Sequence, residues 1–191
     1  SFPVLITPVN EGLVVSEEKY EVHACEAEHS VTTFSYLFKE KEKPGTFYPE
    51  KASALGVPKG KLWHKLQQGE EITIENKSIK PSQVMGPNIS GKKIGVSGDT
   101  RPTKKLEKFF RNCDYLIFDS TFSDELREKA IQSCHSTAKE AAVFAKNADV
   151  KNLILTHFSA RYKDEKVLLN EAKAIHNSVI AANDQLKIDV V

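Results

Sequence analysis

Residues 93–119 read KIGVSGDTRPTKKLEKFFRNCDYLIFD, and this stretch decides the fold class. An apolar run over 93–97 is followed by Asp99, and a second apolar run over 115–118 is followed by Asp119. Between the two runs, apolar residues recur at the i, i+3, i+4 spacing of a helix that buries one face. A strand, a helix and a second strand in this order predict an α/β layered sheet.

The sequence on either side extends this pattern. On the N-terminal side, short runs with strand character lie at 13–15, 20–24 and 33–38. On the C-terminal side we expect helices that begin at Ser123 and at the Thr137–Glu140 capping box, a helix over 165–175, and strands at 153–155, 179–180 and 186–191.

The stretch 39–71 differs from both flanks because proline and glycine interrupt every regular pattern in it. We therefore predict an arm at 39–71 that is inserted into a body made of 1–38 and 72–191. Between residues 51 and 68 the arm has no acidic residue. Its candidate nucleic-acid contacts are the basic and aromatic side chains Lys51, Lys59, Lys61, Lys65 and Trp63.

The composition excludes several classes of protein. Of 191 residues, 27 are Lys or Arg and 26 are Asp or Glu, so no global charge draws the chain to RNA or to a membrane. No apolar run approaches the roughly 18 residues that a membrane helix needs. Cys25, Cys113 and Cys134 have no CxxC spacing, which favours a reducing, cytoplasmic setting. The chain starts without methionine, as expected of a piece of a longer protein.

Four polar residues follow predicted strands or stand at a helix entrance: Asp99, Asp119, His135 and His157. The carboxyl ends of parallel strands meet at one sheet edge, so these side chains are expected to converge there. His29 precedes another strand and could join them. Histidine and carboxylate on rigid strand ends suit a hydrolytic metal such as zinc. The spacing alone leaves open that each is an ordinary surface or turn residue.

The residue identities in these motifs are more specific than the spacing between them. SGDTRP at 97–102, HST at 135–137 and LILTHFSARY at 153–162 strongly resemble the tRNase Z family of metallo-β-lactamase-fold nucleases. EHS at 28–30, followed by FSY at 34–36, resembles the histidine motif that precedes the arm of that family. The resemblance implies a metallo-β-lactamase-like αβ/βα sandwich, largely its C-terminal half, with an inserted tRNA-binding arm.

The resemblance also implies roles for single residues. His29 would bind one zinc, Asp99 would bridge two zincs, and His157 would bind the other. His135 would lie beside the scissile phosphate, and Asp119 would orient it. Two Zn²⁺ per complete site are implied, with Mn²⁺ as the alternative, together with precursor tRNA as partner and a homodimer.

Two departures from the family pattern qualify the site. The HxHxDH signature is absent, so this chain offers three ligands to a site that needs more, as expected of the C-terminal portion of the enzyme. The stretch FDSTF at 118–122 stands where family members read His-Glu-Ala-Thr. Asp119 keeps the carboxylate but is one methylene shorter, and it could instead cap the turn after its strand.

The leading hypothesis is an endoribonuclease that removes the 3′ trailer from precursor tRNA by two-metal hydrolysis. One alternative is a hydrolase of small phosphodiesters or arylsulfates, and another is a non-catalytic module for tRNA binding or dimerisation. In the arm, Trp63 either stacks on bases or packs inside. Half of a layered sandwich would leave one sheet face bare, so we expect association if these residues stand alone.

Overall fold

The computed structural model describes residues 3 and 7–190. Its strands are β1 (Gly12–Ser16), β2 (Tyr20–Glu26), β3 (Phe34–Glu40), β4 (Ile72–Ile74), β5 (Lys77–Ile79), β6 (Lys93–Val96), β7 (Tyr115–Asp119), β8 (Asn152–Thr156) and β9 (Val179–Ala181). Its helices are α1 (Pro49–Ala54), α2 (Lys61–Gln67), α3 (Lys104–Phe109), α4 (Arg127–Gln132), α5 (Ala138–Asn147) and α6 (Lys166–Lys173), with 3₁₀ turns at Pro81–Gln83 and Asp124–Leu126.

The chain divides into two compact units. The first consists of the residues up to Glu40 and from Lys92 onward, and the second is Lys41–Gly91.

The first unit is built on a seven-stranded sheet in the order β1-β2-β3-β6-β7-β8-β9. The strands from β1 to β6 pair antiparallel, whereas those from β6 to β9 pair parallel through helical crossovers. In the parallel part, Asp119 at the end of β7 lies opposite Thr156 at the end of β8. This register places Asp119 and the residue after Thr156 at the same edge of the sheet.

The core of this unit lies on one face of the sheet. Because side chains alternate along a strand, Leu116 and Phe118 of β7 point to the same face, as do Leu153 and Leu155 of β8. All four are fully buried, and they pack in one cluster with the apolar sides of α3, α5 and α6. The opposite face is less covered: the paired residues Tyr36 and Val96 are 37% and 41% exposed.

The second unit has its own small core. Its α1, α2 and β4–β5 hairpin bury one shared cluster of apolar residues: Ala52, Val57, Leu66, Ile72, Ile79 and Val84. The hairpin turns at Glu75 and Asn76, which both have positive φ, as a two-residue turn of type I′ requires. The sequence predicted an arm that ends at residue 71. The compact unit continues to Gly91, and the hairpin together with Val84 after the 3₁₀ turn supplies half of its buried core.

Two expectations about secondary structure are wrong. Residues 186–190 form no strand, and Val191 lies outside the described residues. Among the described residues this segment has no strand partner. The Tyr115 hydroxyl holds the tail instead by donating to the Asp189 carbonyl at 3.3 Å. Ser123 opens a 3₁₀ turn before α4 and makes no side-chain cap. The Thr137–Glu140 capping box is confirmed.

Membrane-spanning character is absent from the part of the chain that the structure describes, where no helix has the length and apolarity to cross a bilayer.

Gly95 in β6 faces the core, and a Cβ there would lie 2.5 Å from Phe110 Cδ1 and 2.8 Å from Leu116 Cδ1. We expect Gly95→Ala to lower the free energy of unfolding by about 1–3 kcal/mol through overpacking. Urea denaturation measures this. Val96→Ala, on the opposite face, serves as the matched control, and an equal loss in both variants would contradict the packing explanation.

Candidate functional site

Four side chains converge at the carboxyl edge of the parallel strands. One carboxylate oxygen or ring nitrogen from each of Asp99, Asp119, His135 and His157 lies within 4.8 Å of the others. They come from the ends of β6, β7 and β8 and from the entrance to α5. The sequence predicted this convergence from three strand ends and a helix entrance, and the parallel register aligns the strand ends.

The carboxylate of Asp119 is the most constrained group in the cluster. It is fully buried. Its Oδ1 accepts hydrogen bonds from the Thr121 amide at 3.1 Å and the Thr121 hydroxyl at 2.7 Å. Its Oδ2 accepts from the Thr100 amide at 3.0 Å and from His135 Nδ1 at 2.7 Å. Because four donors fill the four lone-pair sites of a carboxylate, Asp119 positions its neighbours and leaves no oxygen free for a metal.

Thr121 connects Asp119 to His157. Its hydroxyl has one proton, which it donates to Asp119 Oδ1, so it must accept a hydrogen bond from His157 Nδ1 at 2.8 Å. The proton of the neutral imidazole therefore lies on Nδ1, and the lone pair lies on Nε2. This Nε2 faces Asp99, whose Oδ1 lies 3.6 Å away.

The separation of those two atoms fits a shared divalent metal. In a tetrahedral site with bonds of about 2.1 Å, two ligand atoms lie roughly 3.4 Å apart. The backbone at His157 has φ 63°, a left-handed conformation that side chains with a Cβ rarely adopt. The fold therefore holds a strained residue at the position where the imidazole meets Asp99.

His29 lies beside this group but outside the four-residue cluster. Its Nδ1 donates to the Cys134 carbonyl oxygen at 3.0 Å, so its lone pair is also on Nε2. The ring centroid of His29 lies 5.0 Å from that of His135, and the His135 ring lies 4.9 Å from that of His157. Three imidazoles thus stand in a row with His135 in the middle.

A partly buried ion pair supports the backbone at His135. Arg101 donates to the His135 carbonyl oxygen and to both carboxylate oxygens of Glu140. Burial raises the pKa of Glu140, but hydrogen bonds from Arg101 and from the Thr137 amide outweigh it, and the net effect is a lowered pKa. Glu140 remains a carboxylate and holds the entrance of α5, where His135 is placed.

The sequence did not assign roles to Thr121 and Arg101. Thr121 stands two residues after a strand-end aspartate, which is the spacing of a local side-chain turn, and that signal was available. Its second contact, to a histidine 36 residues away, left no trace in the sequence. Arg101 was visible only as part of the SGDTRP motif.

The predicted arm residues lie in the second unit. Lys51 is in α1, with its ammonium 4.3 Å from the centroid of the Tyr48 ring. Lys61 and Lys65 are four residues apart on α2, and therefore share a face, and Lys59 precedes that helix. All four lysines are exposed.

Trp63 packs inside the second unit, which is one of the two alternatives that the sequence left open for it. Its indole N–H donates to the Val57 carbonyl at 2.9 Å, and its ring lies 5.2 Å from that of Phe47 against the arm core.

Similarity to known proteins agrees with the fold described above. The model of the beta-lactamase superfamily domain matches residues 61–158, about half of the sequence. The chain belongs to the beta-lactamase superfamily. This membership confirms the predicted fold class, and the donor set of histidines and carboxylates suits the divalent metal implied by that fold.

The similar proteins include ribonuclease Z of two archaea. Ribonuclease Z of Nitrosopumilus maritimus is 58% identical over 190 residues, which cover 100% of this chain and 64% of that protein. Ribonuclease Z of Methanosarcina acetivorans is 43% identical over 180 residues, which cover 94% of this chain and 59% of that protein. These relatives confirm the resemblance to tRNase Z. The chain spans less than two thirds of their length.

Two solved structures share the fold. The metallo-beta-lactamase fold protein YhfI from Bacillus subtilis superposes with a TM-score of 0.59 at 15% identity, covering 93% of this chain and 52% of that chain. The short form of human tRNase Z superposes with a TM-score of 0.58 at 23% identity, covering 94% and 46%.

Thr121 offers a direct test of the hydrogen-bonded network. We expect Thr121→Val to weaken divalent-metal binding about 10-fold or more, because His157 loses the acceptor that fixes its ring and its tautomer. Thr121→Ser keeps the hydroxyl and should bind metal nearly as tightly as the wild type. Titration calorimetry on metal-free protein measures both, and equal affinities for the Val and Ser variants would refute the role of the hydroxyl.

Proposed function

We propose that the protein containing this chain is an endoribonuclease that removes the 3′ trailer from precursor tRNA by metal-dependent hydrolysis of a phosphodiester. The observation that carries the proposal is the convergence of Asp99, His135 and His157 at one sheet edge, in a chain 58% identical to a ribonuclease Z. The proposal concerns the whole protein, of which this chain would supply the part described above.

We propose His29, Asp99 and His157 as metal ligands. The support is that both imidazoles have their Nδ1 protons engaged by fixed acceptors, so that each Nε2 lone pair is available. Zinc, two ions per complete site, suits this set of nitrogen and carboxylate donors, with manganese as the alternative. The chemistry that two such ions supply is activation of water and neutralisation of charge on the phosphate.

His135 is proposed as the residue that acts on the scissile phosphate. Asp119 accepts from its Nδ1 at 2.7 Å, which fixes the ring and leaves Nε2 as the working atom. At that atom the imidazole can donate a hydrogen bond to the developing charge or pass a proton to the leaving oxygen.

The second unit is proposed as the tRNA-binding arm. Its support is the four exposed lysines, two of which share a face of α2, in a stretch without acidic residues. The small core beneath them would hold these charges in place on a folded unit.

A homodimer in the cytoplasm completes the proposal. The partly exposed sheet face at Tyr36 and Val96 is compatible with association. All three cysteines are free, and burial raises the pKa of Cys25 to about 11 and that of Cys113 to about 12, which makes both thiols unreactive at neutral pH. Sedimentation analysis of the protein tests the dimer.

The test of the nuclease is cleavage of a precursor tRNA that carries a 3′ trailer, by protein expressed from the natural start codon of the gene. We expect cleavage at the 3′ end of the tRNA body, and a loss of at least about 100-fold in Asp99→Ala because a ligand is removed. Lys108→Ala, an exposed substitution in α3 of the first unit, is the control variant and should cleave like the wild type. Binding of tRNA without cleavage, with either zinc or manganese, would instead indicate a non-catalytic tRNA-binding module.

The arm has a separate test. Replacing Lys51, Lys59, Lys61 and Lys65 with alanine should weaken binding of the precursor and flatten its dependence on salt, because each lost phosphate contact removes counterion release. The control variant replaces four other exposed lysines, Lys104, Lys108, Lys146 and Lys173, and so loses the same net charge as the arm variant. Its binding should depend on salt more steeply than that of the arm variant. Equal effects of the two sets would contradict a local role for the arm.

A further inference from the structure

Beside the metal-ligand cluster, a buried aromatic ring has a fixed position. Phe122 is 5% exposed, and its ring centroid lies 6.5 Å from that of His135 in an edge-on arrangement. Its amide donates to the Ser136 carbonyl at 3.3 Å, and its carbonyl accepts from the Ala138 amide at 2.9 Å. The ring is therefore tied to the same segment that carries His135.

Two cations from different segments approach this one ring. The guanidinium carbon of Arg161, in the loop after β8, lies 5.3 Å from the ring centroid of Phe122. The ammonium of Lys129, in α4, lies 5.9 Å from the same centroid. Both distances are within the range of cation–π attraction, which holds a charge over a ring without neutralising it.

These charges are not neutralised by acidic side chains. Within residues 3 and 7–190, neither Arg161 nor Lys129 has a carboxylate within ion-pair distance, whereas Lys139 in α5 pairs with Asp124 at 2.6 Å. The Nε of Arg161 donates to Ser159 Oγ at 3.0 Å, which leaves the terminal amino groups of the fork for another acceptor. Two like charges gathered beside one ring are most stable when an anion lies between or near them.

We propose that Arg161 and Lys129 bind phosphates of the RNA strand that flank the scissile bond, with Phe122 as the platform that holds both cations beside His135. The proposal rests on the proposed nuclease function and names a substrate-binding site for it within the first unit. The planar guanidinium can bind one phosphate through two hydrogen bonds, and the ammonium acts as a point charge on a neighbouring one. Since both cations are exposed, they can reach a strand that crosses the edge of the sheet.

The test is RNA binding as a function of salt, with the protein expressed from its natural start codon. Asp99→Ala is placed in every variant so that bound precursor tRNA is not cut. We expect the double variant Lys129→Ala/Arg161→Ala to weaken binding about 10-fold or more. The slope of log affinity against log salt should become shallower by about 1.5, which corresponds to two phosphate contacts. Arg161→Lys should recover the slope but only part of the affinity.

Lys163→Ala is the matched control, because Lys163 is exposed and stands two residues from Arg161. It should change neither affinity nor slope. An unchanged slope in the double variant, or the same loss in the control, would overturn the proposal. The outcome is separate from that of the nuclease: a wild type that binds RNA without cutting it refutes the nuclease alone, and a wild type that cuts while the double variant keeps its slope refutes the phosphate site alone.

Discussion

The site depends on one buried carboxylate. Asp119 has no contact with solvent, and a charge in that position is tolerated only when hydrogen bonds replace the water it has lost. Its four donors come from the loop after β6, the turn after β7 and the entrance of α5. Satisfying one side chain therefore fixes three segments at once. The amide of Asp119 adds a fifth hydrogen bond by donating to Ser97 Oγ, directly after β6, at 3.0 Å. Through Thr121, the same carboxylate also determines which nitrogen of His157 carries a proton.

The sequence predicted the strand ends well because their signals are local. Apolar runs that stop at Asp99, Asp119 and His157 mark the edge of a parallel sheet. Because the strands are aligned, the side chains at their ends lie close together. For Asp119 the sequence left open whether it orients His135 or caps its own turn, and in the structure it makes both sets of hydrogen bonds. One oxygen accepts from His135 and the other accepts from the turn at Thr121, a division that the sequence pattern does not indicate. The acceptor role of Thr121 follows only from its two hydrogen-bond partners in the structure, because its single proton is donated to Asp119.

The limits of the second unit depend on information that no local pattern carries. Residues 72–74 alternate as a strand does, and nothing local shows whether they belong to a hairpin of the second unit or to a strand of the main sheet. The distinction lies in which core takes the apolar side chains: Ile72 and Ile79 pack with Leu66 of α2. The same reasoning explains the tail at 186–190, where the composition suits a strand but no edge receives it. The composition of a segment gives its propensity to form a strand, but the segment joins a sheet only if another strand pairs with it.

The left-handed backbone at His157 sets stability against function. A φ of 63° at a residue with a Cβ costs of the order of 1 kcal/mol, and glycine at this position would remove that cost. The same replacement would remove the imidazole, its hydrogen bond with Thr121 and the nitrogen that faces Asp99. A library at position 157 that is sorted for thermal stability alone would therefore reward relief of backbone strain without registering the loss of the ring.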